Sequence, residues 1–124
     1  MRDKTEAKIQ SEIVAWFNNE YCLKFHNPRY CIFSVPNDTQ NKEETMRKLA
    51  TGLKSGASDL IVLFPNRTVF CEVKTPTGVQ SETQKEFQEQ VEKLGFEYIL
   101  VRSLDEFKIS IDKYLRIINI CVLE

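Results

Sequence analysis

The sequence DLIVLFPNRTVFCEVK, residues 59–74, decides the fold of this chain. It contains two runs rich in β-branched and large apolar residues, Leu60–Phe64 and Val69–Cys71, which predict buried β-strands. Pro65–Thr68 lies between the two runs and has the composition of a turn. We therefore expect a β-hairpin with charged residues where its strands end.

The length of the turn determines which side chains of this hairpin share a face. Directly opposed residues of an antiparallel pair point to the same side of the sheet. A four-residue loop sets Asp59 against Lys74, and a two-residue loop sets Asp59 against Glu72. Since side chains alternate along a strand, Glu72 and Lys74 share a face in both cases. Both registers place all three side chains on one face, which a three-residue loop would not do.

Two carboxylates and an ammonium group on one sheet face indicate a cation site. At an effective dielectric constant of about 20, two like charges about 4 Å apart repel by roughly 4 kcal/mol. A divalent cation between Asp59 and Glu72 would offset that repulsion, and Lys74 could orient an attacking water beside it. The alternative is an ion pair between Glu72 and Lys74 at a sheet end, with Asp59 only ending a loop.

The composition is that of one ordinary globular domain covering residues 1–124. Of these residues 42% are hydrophobic and 28% are charged, and no apolar run of about 20 residues would span a membrane. The polar N-terminus lacks the apolar core of a signal peptide, so the expected location is the cytoplasm. Cys22, His26 and Cys31 lack the fourth ligand and the usual spacing of a zinc site, so His26 is expected to be a loop or surface residue.

The net charge of −1 does not indicate a nucleic-acid-binding protein, but the charges are unevenly distributed. Segment 42–54 carries four basic residues against two glutamates, whereas segment 82–97 carries five glutamates against two lysines. One side of the molecule is therefore expected to face phosphates, with a solvated mixed-charge helix as the alternative. Small residues after the basic segment would let the backbone approach a ligand. The candidate nucleic-acid-binding residues are Lys42, Arg47, Lys48, Lys54 and Ser55.

Hydrophobic spacing and capping signals predict the order α-β-α-β-β-α-β-α. The first helix spans residues 4–22, with Asp3 as its N-cap and Glu6 on the side of the core. The later elements are a strand at 30–35, a helix at 41–54, the hairpin, a helix from the capping box Ser81–Gln84 to Gly95, a strand at 97–102 and a helix opening at Ser103. Residues 117–123 are ambiguous between helix and strand. This order predicts an α/β fold, a mixed sheet flanked by helices with one right-handed parallel crossover.

The order of elements, with an acidic residue in the first helix and Asp…Glu-x-Lys on adjacent strands, resembles the PD-(D/E)XK nucleases. Among these, the chain is most similar to the virus-type replication-repair nuclease (VRR-NUC) family. The segments that carry the resemblance are EAKIQ at 6–10, SVPN at 34–37, SGASDLIV at 55–62, EVKT at 72–75 and GVQSETQ at 78–84. One departure is Ser58, where the superfamily name expects a proline. Proline there would stiffen the backbone and bind no metal, so activity is still expected.

The resemblance implies a restriction-endonuclease-like core that hydrolyses phosphodiester bonds of DNA with Mg²⁺ or Mn²⁺. Asp59 and Glu72 would be metal ligands together with the backbone carbonyl of Val73. Glu6 would complete the metal shell directly or through water. Hard oxygen ligands of this kind suit Mg²⁺ or Mn²⁺ better than zinc.

The resemblance also implies roles for two further residues. Lys74 would orient the attacking water and stabilise charge developing on the phosphate. Gln84 would face the site from the start of its helix and position Lys74 or a water. The alternative for Gln84 is a purely capping role.

The function expected from the resemblance is that of a structure-selective DNA endonuclease in replication, repair or recombination, and its gene could be viral or phage. A chain this small is expected to act as a homodimer, with branched DNA such as a four-way junction as substrate. The apolar tail, Ile117–Leu123, is a candidate dimer interface, or it is buried in its own core. The alternatives are a flap or restriction-type nuclease, a non-catalytic DNA-binding module of the same fold, and a protein-interaction domain.

Overall fold

A computed structural model of the chain describes residues 4–36 and 39–123, which form helices and strands in the predicted order. The elements are α1 (Glu6–Tyr21), β1 (Cys31–Ser34), α2 (Lys42–Ala50), β2 (Leu60–Phe64), β3 (Arg67–Val73), α3 (Glu82–Lys93), β4 (Glu97–Val101) and α4 (Leu104–Leu123). No helix within these residues is long and apolar enough to cross a membrane.

The strands form one mixed sheet in the order β1-β2-β3-β4, which confirms the predicted fold class. Neighbours β1 and β2, and then β2 and β3, are antiparallel, whereas β3 and β4 are parallel and are connected through α3. The hairpin turn holds two residues, because Phe64 pairs with Arg67. Asn66 in this turn has φ 58°, a left-handed conformation that asparagine tolerates. The two-residue register is therefore the one that the chain adopts.

One face of the sheet packs against α1 and α4 and forms the hydrophobic core. The ring of Phe17 on α1 contacts Phe64 and Phe107, with centroids 5.7 and 6.1 Å apart. The buried sheet residues on this face are Ile32, Leu60, Val62, Val69, Cys71, Val73, Ile99 and Val101. They alternate along their strands with residues of the other face, so Glu72 of β3 points away from this core.

The opposite face carries the candidate site and is only partly covered. Helix α3 lies over β3 and β4, where Phe87 packs edge-on against Phe70 with centroids 5.7 Å apart. Away from α3, Phe33 and Leu63 are 46% and 36% exposed. Helix α3 therefore covers the strands that carry Glu72 and Tyr98, and the β1 side of this face stays exposed.

Two helix ends differ from the prediction. Thr5, not Asp3, caps α1 by accepting a hydrogen bond from the Lys8 N–H at 3.1 Å, and Asp3 lies outside the described residues. Helix α2 ends at Ala50 and not at residue 54, because Gly52 adopts φ 115°, which is incompatible with a continuing helix. None of the residues of α2 is buried.

The tail that the sequence leaves ambiguous is helical, since α4 continues to Leu123. Of the two alternatives for this segment, helix is therefore the one that the chain adopts, and the apolar spacing that begins at Phe107 extends into it. The proposed role of the tail as a dimer interface stays a prediction.

Candidate active site

The hairpin brings two carboxyl groups together at the end of its strands. Asp59 directly precedes β2 and stands opposite Glu72 of β3, one step beyond the Leu60–Cys71 pair. Asp59 Oδ2 accepts a hydrogen bond from the Val73 N–H at 2.8 Å, which fixes the orientation of its carboxyl group. The Asp59 carboxyl lies close enough to Glu72 to raise the pKa of the Glu72 carboxyl. The two residues that the sequence predicted to converge therefore do so.

Glu72 is the most perturbed carboxyl group of this site. It is only 1% exposed, and burial raises its pKa to about 8, with the hydrogen bond and negative charge of Asp59 acting in the same direction. The Tyr98 hydrogen bond and the charge of Lys74 act in the opposite direction on this pKa. Near neutral pH the pair therefore retains a proton, since two adjacent buried carboxylates cannot both ionise without a compensating cation.

The carbonyl of Val73 adds a third oxygen to this pair. The N–H and C=O of one residue in a strand point to the same side, and the Val73 N–H points at Asp59. On the other side of β3, the ladder with β4 uses the neighbouring Lys74 N–H, which donates to Val101 O at 3.0 Å. Two carboxyl groups and a carbonyl are hard oxygen donors, so the residues present fit a divalent cation such as Mg²⁺ or Mn²⁺.

Glu6 contacts this site through Lys74. Lys74 Nζ lies 3.7 Å from Glu6 Oε1, and the Lys74 side chain is only 12% exposed, whereas that of Glu6 is 49% exposed. Among residues 4–36 and 39–123 no group of three or more His, Cys, Asp or Glu side chains is arranged to hold a metal. The expectation that Glu6 faces the core is wrong, because it lies at the helix start, half exposed. Its predicted place in a metal shell stays a prediction.

Gln84 caps α3, which confirms one of the two alternatives, and it also contacts the site. Its Oε1 accepts from the Ser81 N–H at 2.8 Å and completes the predicted capping box. Its Nε2 donates to Glu72 Oε2 at 3.1 Å. An amide has a separate acceptor and donor, so one side chain caps α3 and holds Glu72 at the same time. Its partner in the site is Glu72, and its predicted action on Lys74 or a water stays a prediction.

Two residues that no sequence motif indicated act on Glu72. Tyr98 of β4 is buried and its hydroxyl donates to Glu72 Oε1 at 3.1 Å. Gln80, which precedes α3, in turn donates to the Tyr98 hydroxyl at 3.1 Å. Gln80, Gln84 and Gln88 are spaced four residues apart, and this spacing was the only sequence signal for the network.

Arg102 holds the turn that follows Lys74. Its Nη1 donates to the carbonyls of Thr75 and Gly78, both at 2.7 Å. This turn connects the end of β3 to the start of α3. The guanidinium group therefore stabilises the relative positions of Lys74 and Gln84.

The candidate nucleic-acid-binding residues lie along α2 and in the loop that follows it, and only some are beside the site. Lys54 and Ser55 are exposed in the loop that leads to Asp59. In that loop Gly56 has φ 78°, and a Cβ there would lie 2.2 Å from Thr83 O, so the loop packs directly against the start of α3. The remaining candidates are on α2: Lys42 at its start, Arg47 and Lys48 in its last turn, with Lys48 in an ion pair with Glu44 at 2.9 Å.

The residues considered and rejected as a zinc site have ordinary roles. His26 Nδ1 accepts a hydrogen bond from the Leu23 N–H at 2.9 Å, a loop contact as predicted. Cys22 is half-buried, and burial raises the pKa of its thiol, which disfavours the thiolate that zinc requires.

The site is a pair of carboxyl groups at the end of a hairpin in a mixed sheet, with a lysine two residues beyond Glu72. The family model described as the VRR-NUC domain matches residues 4–105. A solved structure described as a VRR_NUC domain protein is similar to the chain, with a TM-score of 0.73 and 20% sequence identity. The alignment covers 94% of this chain and 92% of the chain in that structure. No curated protein matches the chain. The chain belongs to the VRR-NUC family, whose members are PD-(D/E)XK-type nucleases.

Proposed function

We propose that the chain is a Mg²⁺- or Mn²⁺-dependent deoxyribonuclease that hydrolyses phosphodiester bonds within structured DNA. The observation that carries this proposal is the pair of adjacent carboxyl groups, Asp59 and Glu72, beside Lys74 in a chain of a nuclease family. Burial raises the pKa of Glu72 to about 8, so the pair can lose its proton near neutral pH only when a cation replaces the lost positive charge.

The proposed cation ligands are Asp59, Glu72 and the Val73 carbonyl. A divalent cation bound there would lower the pKa of a water bound to it and would stabilise negative charge on the phosphate. Both carboxyl groups already have donors that set their orientation, the Val73 N–H for Asp59 and Gln84 for Glu72. Ordering the ligands before binding decreases the entropy cost of holding a cation.

Lys74 is the proposed partner of the attacking water and of the scissile phosphate. Its amine is largely shielded from solvent, so its hydrogen bonds to a water or phosphate oxygen are stronger than those of a surface lysine. Glu6 would hold this amine in place before substrate binds and would enter the metal shell, directly or through water, once Lys74 turns to the phosphate.

The proposed DNA surface begins at the loop before Asp59. Lys54 and Ser55 are in that loop, and the basic residues of α2 precede them along the chain. We propose branched DNA as substrate and a homodimer as the active form, with α4 near Ile117 as one candidate interface, since Ile117 is 42% exposed. The cytoplasm is the proposed location. A flap or restriction-type nuclease and a non-catalytic DNA-binding module remain the competing functions.

Cleavage assays distinguish these functions. Labelled linear, flap and four-way-junction DNA are incubated with the protein in Mg²⁺, Mn²⁺ or EDTA. We expect metal-dependent cleavage that prefers the junction and is abolished in Asp59→Ala, with Glu86→Gln, an exposed glutamate of α3, as the active control. DNA binding without cleavage under every metal condition would identify the binding module. Light scattering during size-exclusion chromatography would contradict the homodimer if it showed a monomer at micromolar concentration.

A further inference from the structure

Three polar side chains form a chain of hydrogen bonds that ends on Glu72. Gln80 Nε2 donates to Gln88 Oε1 at 2.9 Å and also to the Tyr98 hydroxyl at 3.1 Å. The hydroxyl donates to Glu72 Oε1 at 3.1 Å. We call Gln80, Gln88 and Tyr98 the relay. None of its members has a role in the cleavage chemistry described above.

The chemistry of the groups fixes the direction of every hydrogen bond in the relay. When Glu72 is ionised, as it would be with a cation bound, its carboxylate only accepts, so the Tyr98 proton points to Glu72. The hydroxyl oxygen then accepts from Gln80, which must present its NH₂ group. Both protons of that NH₂ are used, one on Tyr98 and one on Gln88, which must present its oxygen. Glu72 thus determines the orientation of the Tyr98 proton, the Tyr98 hydroxyl determines that of Gln80, and Gln80 determines that of Gln88.

The second carboxyl oxygen of Glu72, Oε2, also accepts a hydrogen bond with a defined donor. Gln84 Nε2 donates to Glu72 Oε2, and its Oε1 is engaged by the Ser81 N–H. Donors from β4 and from α3 therefore hold the two oxygens of one buried carboxyl group. Rotation of this group would break at least one of the two hydrogen bonds, and with 1% exposure for Glu72 little water is present to replace it.

We propose that the relay is a positioning device that sets the affinity of the Asp59–Glu72 site for a divalent cation. This inference rests on the proposed function. Tyr98 would act through Glu72 and would not contact cation or DNA. Hydrogen-bonding partners of metal ligands change metal affinity by about tenfold to a hundredfold when they are removed. The cation affinity of the site would then depend on Tyr98, which is 26 residues from Glu72 in the sequence.

The chain offers a matched control for removing the Tyr98 hydroxyl. Tyr114 is also buried, at 1% exposure, and its hydroxyl donates to a glutamate, Glu97 Oε2, at 3.2 Å. It packs on the opposite side of the sheet, against Phe64. Calorimetric titration of the full chain with Mn²⁺ compares Tyr98→Phe with Tyr114→Phe. We expect the Mn²⁺ Kd to rise about tenfold to a hundredfold in Tyr98→Phe and to stay unchanged in Tyr114→Phe.

Two substitutions with the same change in charge test the direction of the relay. In Gln88→Glu the acceptor for Gln80 is retained, so Tyr98 still donates to Glu72. In Gln80→Glu the new carboxylate can only accept, and it competes with Glu72 for the single Tyr98 proton. We expect Gln80→Glu to weaken Mn²⁺ binding about tenfold and Gln88→Glu to leave it near the wild-type value. Melting temperatures in EDTA show whether each variant is folded before titration.

The outcomes separate this inference from the function on which it rests. Folded wild-type protein that binds no Mn²⁺ would overturn the proposed function and the inference with it. Normal wild-type binding with an unchanged Kd in Tyr98→Phe would overturn the inference alone. Equal effects of Gln80→Glu and Gln88→Glu would do the same, because charge and not hydrogen-bond direction would then explain them. In cleavage assays the half-saturating Mg²⁺ concentration is expected to rise in Tyr98→Phe, with little change of rate at saturating Mg²⁺.

Discussion

Replacing Glu72 by glutamine should make the metal-free protein more stable at high pH while it removes cleavage. The pKa of Glu72 is raised from 4.5 to about 8 in the folded protein. The folded state therefore binds the extra proton, so the stabilisation from this group is complete below pH 4.5 and is lost as pH rises through about 8. The amide introduced by Glu72→Gln never ionises, but its NH₂ group cannot accept a hydrogen bond, so the variant loses the donor contact of either Tyr98 or Gln84.

The size of the effect follows from the linkage between pKa and folding. One pKa unit corresponds to about 1.4 kcal/mol, so the wild-type protein should lose roughly 4 kcal/mol between about pH 5 and about pH 9 through Glu72 alone. The amide leaves one buried donor, on Tyr98 or Gln84, without its acceptor, which costs the variant about 2 kcal/mol at every pH. Glu72→Gln should then be about 2 kcal/mol less stable than wild type near pH 5 and about 2 kcal/mol more stable near pH 9.

Urea denaturation in EDTA at several pH values measures this difference. The quantity to compare is the free energy of unfolding of the variant minus that of the wild type, because other groups titrate equally in both proteins. Adding Mg²⁺ at pH 9 should restore stability to the wild type and leave the variant unchanged, since a bound cation stabilises only the folded state that holds it. Glu86→Gln, on the exposed side of α3, is the control. A difference that does not depend on pH would refute the argument that the buried carboxyl pair retains a proton.

Three further outcomes are expected. Lys74→Ala should reduce cleavage by at least about a hundredfold, while the Mn²⁺ affinity measured by calorimetry stays near the wild-type value. Loss of Mn²⁺ binding with retained cleavage would show that Lys74 acts on the metal and not on the cleavage step. Gly56→Ala should lower the melting temperature and weaken Mn²⁺ binding, because the added Cβ would meet Thr83 O and displace the helix start that holds Gln84. Gly52→Ala is the control for backbone strain, since Gly52 also has a positive φ but has open space around its Cβ. Equal losses in the two variants would contradict the steric argument. Lys54→Ala should weaken DNA binding and decrease the salt dependence of the affinity by about one ion, and an unchanged slope would place the phosphate contacts elsewhere.

Local patterns were sufficient to predict the hairpin and its charged face. Side-chain alternation is a property of the strand backbone, so Glu72 and Lys74 share a face whatever surrounds them. Asp59 shares that face only if the turn has an even number of residues. The turn has two residues, one of them an asparagine at positive φ, so Asp59 lies on the same face as Glu72 and Lys74. The capping box of α3 was likewise predictable, because it depends on residues three positions apart.

Contacts between distant segments decided the rest. The sequence by itself determined that Asp59, Glu72 and Lys74 converge, but the parallel pairing of β3 with β4 was needed to bring Tyr98 beside Glu72. Glu6 reaches Lys74 only because α1 packs on the sheet, and its place at a half-exposed helix end was not predictable from periodicity. The raised pKa of Glu72 likewise depends on how much water the assembled layers exclude. Burial and register between strands far apart in the chain are properties of the folded molecule, and no local sequence pattern encodes them.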